Sequence, residues 1–174
     1  MKTFSTRPSD VQSQWHVLDA AGRTLGRLAT EVSVLLQGKH KPIYARHIIT
    51  GDYVIVVNAS KIRVTGNKLQ QKMYRHHSGY PGGLREARMA DVLSKYPERI
   101  VREAVHGMLP KNTLGRHMLQ RLKVYSGESH PHESQVKASA KQDALLVPGE
   151  PEVQAVEQPL ETTARVAAED ETEE

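Results

Sequence analysis

The 174-residue chain contains no cysteine, so neither a disulfide nor a thiolate metal site is available to it, and its stability must come from packing and partners. Aromatic residues make up only 5%, with one Trp and one Phe, which gives little support to a single-strand binding platform built from rows of stacked rings. The longest uninterrupted aliphatic run is Val54-Ile55-Val56-Val57, far short of the roughly 20 apolar residues a membrane helix needs. The N-terminus has charge but no apolar signal-peptide core, so a cytosolic chain is expected.

Acidic residues are also missing, but only from particular stretches. Residues 53–85 carry Lys61, Arg63, Lys68, Lys72, Arg75 and Arg85 with no Asp or Glu. Residues 104–127 carry Lys111, Arg116, Arg121 and Lys123, and residues 32–51 carry Lys39, Lys41 and Arg46, again without an acid. A basic stretch of this kind cannot neutralise itself locally, and three of them in one small domain favour phosphate as the partner. The acids are displaced to the far end: residues 1–142 hold 23 Lys+Arg against 10 Asp+Glu, whereas residues 143–174 hold 1 against 10. A body at +13 repels itself unless a polyanion neutralises it.

Apolar patterning organises the rest. His16 to Asp19 reads as a short strand, followed by a turn at Ala20 to Arg23. A helical stripe then runs through Leu25, Leu28, Ala29, Val32, Leu35 and Leu36, with Thr24 placed to cap it and Gly38 to end it. Tyr53 to Val57 is a continuous β-branched run, as in a strand covered on both faces, and Ile62-Arg63-Val64 is a shorter strand candidate. Asn67 to Arg88 is polar, basic and glycine-punctuated and reads as an irregular excursion with a strand near Lys72 to His76. Helical period resumes over Met89 to Tyr96. A further helix starts at Pro97, with Ile100, Val101, Ala104, Val105 and Met108 on its face. After Asn112 or Thr113 as a cap, Leu114, Met118 and Leu122 repeat at four-residue spacing before a last strand at Lys123 to Tyr125. Four strands and about four helices result, with strand–helix–strand spacing that points to a parallel α/β unit. Beyond Gly127 the periodicity stops among Pro, Glu, Gln, Ala and Ser, so the expected organisation is an α/β domain over residues 1–135 and a disordered acidic tail over residues 136–174.

The chemistry-bearing motifs are weak. Gly22-Arg23-Thr24-Leu25-Gly26 lacks the third glycine of a dinucleotide loop, and Val64 to Lys68 lacks the leading glycine and trailing hydroxyl of a phosphate loop. His76-His77 and His130-Pro131-His132 are not expected to hold a metal, since adjacent histidines diverge on a strand and half of the carboxylates lie in the tail. Asp19 and Asp52 sit at strand ends where an acid or base can stand, but no partner spacing accompanies them and a turn or helix-cap role is expected. Neither an enzyme nor a cofactor site is expected. The rival readings are a mononucleotide-binding α/β protein using the Gly22 turn or Gly66 loop, and an adaptor whose acidic tail recruits a basic partner.

Seven strings in order carry a family resemblance: Leu25-Gly26-Arg27-Leu28-Ala29, Gly38 to Pro42, Gly51 to Val54, Val57-Asn58-Ala59, Val64 to Lys68, His77 to Gly83, and Val105 to Asn112 with Gly115-Arg116. Over about residues 13 to 135 the chain resembles the bacterial family of ribosomal protein thirteen of the large subunit. That resemblance implies a three-layer α/β/α sandwich around a four-stranded parallel sheet. It also implies binding to large-subunit ribosomal RNA early in assembly, beside neighbouring ribosomal proteins, without catalysis, a membrane or a small-molecule substrate. On the charge pattern and the matched strings together, the expected RNA contacts are Lys39, His40, Lys41, Lys68, Lys72, Tyr74, Arg75, His76, Tyr80, Lys111, Arg116 and Lys123. The acidic extension lies outside the family pattern. A solvated extension and a shield for the basic body are both compatible with its composition.

Overall fold

The computed structural model describes residues 5–146. Strand β1 (Trp15–Asp19), helix α1 (Leu25–Gln37) and strand β2 (Tyr53–Val57) form the expected parallel unit. Strand β5 (Leu122–Val124) pairs with the other edge of β2, giving a parallel sheet in the order β1-β2-β5. Between β2 and β5 run a 3-10 turn (Ala59–Lys61), a single helical turn α2 (Lys68–Gln71), strands β3 (Met73–His77) and β4 (Leu84–Arg88), and helices α3 (Met89–Lys95), α4 (Pro97–Met108) and α5 (Thr113–Gln120). Helix α6 (Glu133–Leu146) closes the described chain.

The core lies on the sheet face that Val54 and Val56 share. There Leu28, Val32 and Leu36 of α1 meet Val101 and Val105 of α4 and Met118 of α5, all buried. Each such large aliphatic side chain contributes about 1.5–3 kcal/mol when fully withdrawn from water. Gly38 ends α1 in the left-handed conformation (φ 76°), donating its N–H to the Val34 and Leu35 carbonyls. Thr24 occupies the N-cap position of α1 without a side-chain capping bond, whereas Asn112 caps α5 by accepting the Gly115 N–H at 2.8 Å.

Three expectations are corrected. The sheet has three strands, not four. Ile62-Arg63-Val64 forms only a single parallel bridge, Thr24 to Arg63, because Asn58 turns left-handed (φ 56°) and the 3-10 turn carries the chain off the sheet edge. The strand expected near Lys72 to His76 does form, but it pairs antiparallel in a separate hairpin with β4, which lies in the segment expected to be irregular. Residues 136–146, expected to be disordered, are helical. Helix α6 packs on β1, where the buried Ser139 hydroxyl accepts the Trp15 N–H at 3.4 Å. It supports this with helix formers such as Ala, Glu, Gln and Lys rather than with an apolar stripe. The remainder of the expected tail, residues 147–174, lies outside the described residues.

The entry to β2 is sterically demanding. A Cβ added to Gly51 would lie 1.8 Å from the Leu36 carbonyl oxygen and 2.4 Å from its carbon, both backbone atoms at the end of a packed helix. Gly51→Ala is therefore expected to destabilise the fold by about 3 kcal/mol, read as a lower urea midpoint with an unchanged slope.

Candidate nucleic-acid interface

The β3–β4 hairpin presents the longest acid-poor stretch to solvent. Lys68 on α2 and Lys72, Arg75, His76, Tyr80 and Arg85 on or beside the hairpin are exposed, Tyr80 at 76%. Neither face of the hairpin tip is packed, so its polar, basic side chains need no burial to offset their charge. Arg75 pairs with Glu86 across the strands at 2.6 Å. Among the described residues no carboxylate lies within ion-pair distance of Lys68, Lys72 or Arg85. The Lys72 ammonium stands 5.9 Å from the centre of the Tyr74 ring. Tyr74 itself is half-buried on the cluster of Met89, Val92 and Ile100. Burial, reinforced by nearby Glu103, holds its phenol above the ordinary range despite Arg99. Its ring therefore roots the hairpin on α3 and α4.

Two hollows border α5. One, of about 400 Å³, is walled by Lys39 and Arg46 on one side and by Met108, Leu109, Pro110 and Asn112 on the other. Leu109 is buried in the core, whereas Met108, on the apolar face expected of α4, is 41% exposed and lines the hollow. The other, of about 330 Å³, brings Arg116 and Lys123 together with Arg102 of α4 and has no acidic lining residue. Arg102 escaped sequence reading because Glu98 and Glu103 flank it. In the structure Glu103 is taken by Arg99 one turn away at 2.5 Å. Lys111 is exposed beyond the end of α4.

His40 and Lys41 have a different setting. The Lys41 ammonium donates to Asp52 Oδ1 at 2.5 Å and to the Gln12 carbonyl at 2.6 Å, and its side chain is 14% exposed. His40 Nε2 lies 2.9 Å from Asp52 Oδ2. Asp52 is fully buried and also accepts the Gln14 N–H at 2.9 Å, with His16 Nε2 at 3.1 Å from Oδ2. Burial works to raise its pKa, but the bonds from His16, Lys41 and Gln14 outweigh it and hold the carboxyl at about 2. Asp52 thus anchors an ionic network, beyond the turn or cap role expected of it. Asp19 does take the turn role: its Oδ1 accepts the Ala21 N–H and the Asn58 amide, each at 2.9 Å, which lowers its pKa.

Arg121, within an acid-free window, is likewise internal. It donates to the Gly51 carbonyl and lies 5.0 Å from the Tyr53 ring centre, while Tyr53 stacks on Trp15 at 4.5 Å and Trp15 on His132 at 5.4 Å. The His130–His132 pair is thus part of ring packing and a local turn, in which His130 Nδ1 accepts the His132 N–H at 3.2 Å. Among the described residues the side chains that converge with metal-ligand chemistry are His16, His40 and Asp52.

The family model described as ribosomal protein L13 matches residues 13–131, which include the sheet, the hairpin and both hollows. The chain belongs to the ribosomal protein L13 family. It is 58% identical over 135 residues to the large ribosomal subunit protein uL13 of Moorella thermoacetica, covering 78% of this chain and 94% of that protein. Identity to the protein of the same name from Thermobifida fusca is 60% (78% of this chain, 91% of the relative). For Pseudomonas aeruginosa it is 56% (78% and 95%). The family is one of ribosomal structural proteins and not of enzymes. The family match ends at residue 131, just before α6.

Proposed function

We propose that the chain is a structural constituent of the large ribosomal subunit in the bacterial cytoplasm, where it binds large-subunit ribosomal RNA and supports early assembly. The observation that carries the RNA-binding part is the hairpin: an exposed, folded projection whose cations Lys68, Lys72 and Arg85 have no carboxylate partner among the described residues. Lys72, Arg75, His76 and Tyr80 would meet the RNA there, with Tyr74 fixing the hairpin's base. Lys39 would meet it at the first hollow, Arg116 and Lys123 at the second, and Lys111 beside them. His40 and Lys41 would act at the rim of the Asp52 network, with Lys41 contributing field more than direct contact because its ammonium is already engaged.

Recognition by these groups rests on phosphate charge and RNA shape. An A-form major groove is too narrow for side chains to read, whereas backbone phosphates and 2′-hydroxyls are open to Lys, Arg, His and Tyr. The test is affinity for deproteinised large-subunit RNA as a function of salt. Lys68→Ala is expected to weaken binding and reduce the log–log salt slope by about 0.7–1, as expected for one lost phosphate contact. An affinity indifferent to salt would overturn the proposal. The neighbouring proteins of the subunit would lie against surfaces the RNA leaves free.

A further inference from the structure

A single carboxylate oxygen of the buried Asp52 collects two imidazole nitrogens from distant parts of the chain. His16 comes from β1 and His40 from the turn after α1, while Asp52 stands at the entry to β2. The two oxygens of Asp52 divide their partners. Oδ1 accepts from the Gln14 N–H and the Lys41 ammonium, whereas Oδ2 faces His16 Nε2 at 3.1 Å and His40 Nε2 at 2.9 Å. The three potential ligand atoms all lie within 4.8 Å of one another. The rings meet edge to face, at 90° and 6.3 Å between centroids, so they converge on Oδ2 rather than stacking on each other. Both histidine side chains are 32% exposed, so the cluster opens to solvent on the side opposite the buried carboxylate.

We propose that His16, His40 and Asp52 form a zinc site, with water in the fourth position. With Zn–N and Zn–O bonds of about 2.0–2.2 Å, tetrahedral ligand atoms stand about 3.4 Å apart. Both N–O edges here are within about 0.5 Å of that value, so small ring rotations open room for the ion. Two imidazoles and one carboxylate are a donor set suited to zinc. The bonds from Gln14 and Lys41 to Oδ1 hold the carboxylate in the orientation that turns Oδ2 toward the two imidazoles, the role outer partners play at metal sites. Lys41 also opposes the cation electrostatically. Its second bond, to the Gln12 carbonyl, keeps the ammonium engaged on the Oδ1 side. A bound ion would tie together three segments separated by up to 36 residues, and an ion that binds only the folded state raises its stability. The site shares His40 with the proposed RNA contacts and is separate from those at the hairpin and the α5 hollows.

The test is titration of chelator-treated full-length protein with Co²⁺, followed by displacement with Zn²⁺. One equivalent of cobalt is expected to give the intense visible absorption of a tetrahedral ion. That band should be lost on adding zinc, and zinc should raise the thermal midpoint of the wild type. His16→Phe removes a bond to Asp52 and is expected to lower the metal-free midpoint, but its test is the loss of both the band and any rise of its own midpoint on adding zinc, and His40→Ala should lose both as well. His76→Ala/His77→Ala should retain both. Absence of saturable tetrahedral cobalt binding in the wild type, or its survival in the His16→Phe/His40→Ala double variant, would overturn the proposal.

Discussion

Asp52→Ala is expected to destabilise the protein by about 4 kcal/mol at pH 7. The carboxylate is fully buried and holds Lys41, His16, His40 and the Gln14 N–H in one network. Removing it leaves the Lys41 ammonium, 14% exposed, without its counter-charge, and the penalty is that of an uncompensated cation more than of a lost attraction. The pH dependence has a definite sign. Folding lowers the Asp52 pKa from 3.8 to about 2, so its contribution of about 2 kcal/mol is fully present above the unfolded value and disappears as pH falls from about 4 through 2. The difference in urea stability between wild type and variant should therefore shrink by about 2 kcal/mol across that interval. A difference below about 1 kcal/mol at pH 7 would mean that the network does not hold the β2 entry.

The second large effect concerns binding rather than stability. Lys68→Glu/Lys72→Glu/Arg85→Glu is expected to lower affinity for large-subunit RNA at least about a hundredfold at low salt and to flatten the salt slope by about 2–3. All three side chains are exposed and have no carboxylate partner among the described residues, so the unfolding midpoint should move little. Direct binding isotherms on deproteinised RNA, with unfolding measured on the same preparations, separate the two effects. A loss of affinity no greater than that from Lys95→Glu/Lys137→Glu/Lys141→Glu, three exposed cations away from the hairpin, would assign the hairpin no special role.

How much of this was legible in the sequence depended on burial. The α1 stripe, the β2 run, Pro97 at the start of α4 and Asn112 as the cap of α5 all translated directly, because each element buries one face and the pattern records it. Strand β4 was missed because Leu84, Arg85, Glu86 and Arg88 are all exposed. Its pairing with β3 is written in backbone hydrogen bonds and in the Pro81-Gly82-Gly83 turn rather than in alternation. The fourth sheet strand failed for the opposite reason. Ile62 and Val64 have strand-like side chains, but the left-handed Asn58 redirects the chain so that only Arg63 bridges to Thr24. Helix α6 has no apolar stripe to detect, and it gains a hold on β1 through Ser139 and the ring packing around Trp15.

The same logic applies to the interface. The acid-free windows coincide with the hairpin and the α5 surface proposed as RNA contacts, where Lys68, Lys72 and Arg85 have no carboxylate partner among the described residues, although Arg75 is paired with Glu86. The criterion missed Arg102, whose flanking acids hid it, although Arg99 takes Glu103 and leaves Arg102 beside Arg116 and Lys123. It also grouped Arg121 and Lys41 with surface cations, while the fold turns the first onto Gly51 and Tyr53 and the second onto Asp52. His16 carried no signal at all, because its partners are 24 and 36 residues away and meet it only once the parallel sheet has formed.

The most direct measurement of the central claim is protein–RNA crosslinking within the assembled large subunit, with the crosslinked residues mapped by mass spectrometry. The account predicts crosslinks concentrated in residues 68–85 and at Lys39, Lys111, Arg116 and Lys123. Crosslinks confined to α6 and the β1 edge, with residues 68–85 untouched, would contradict it.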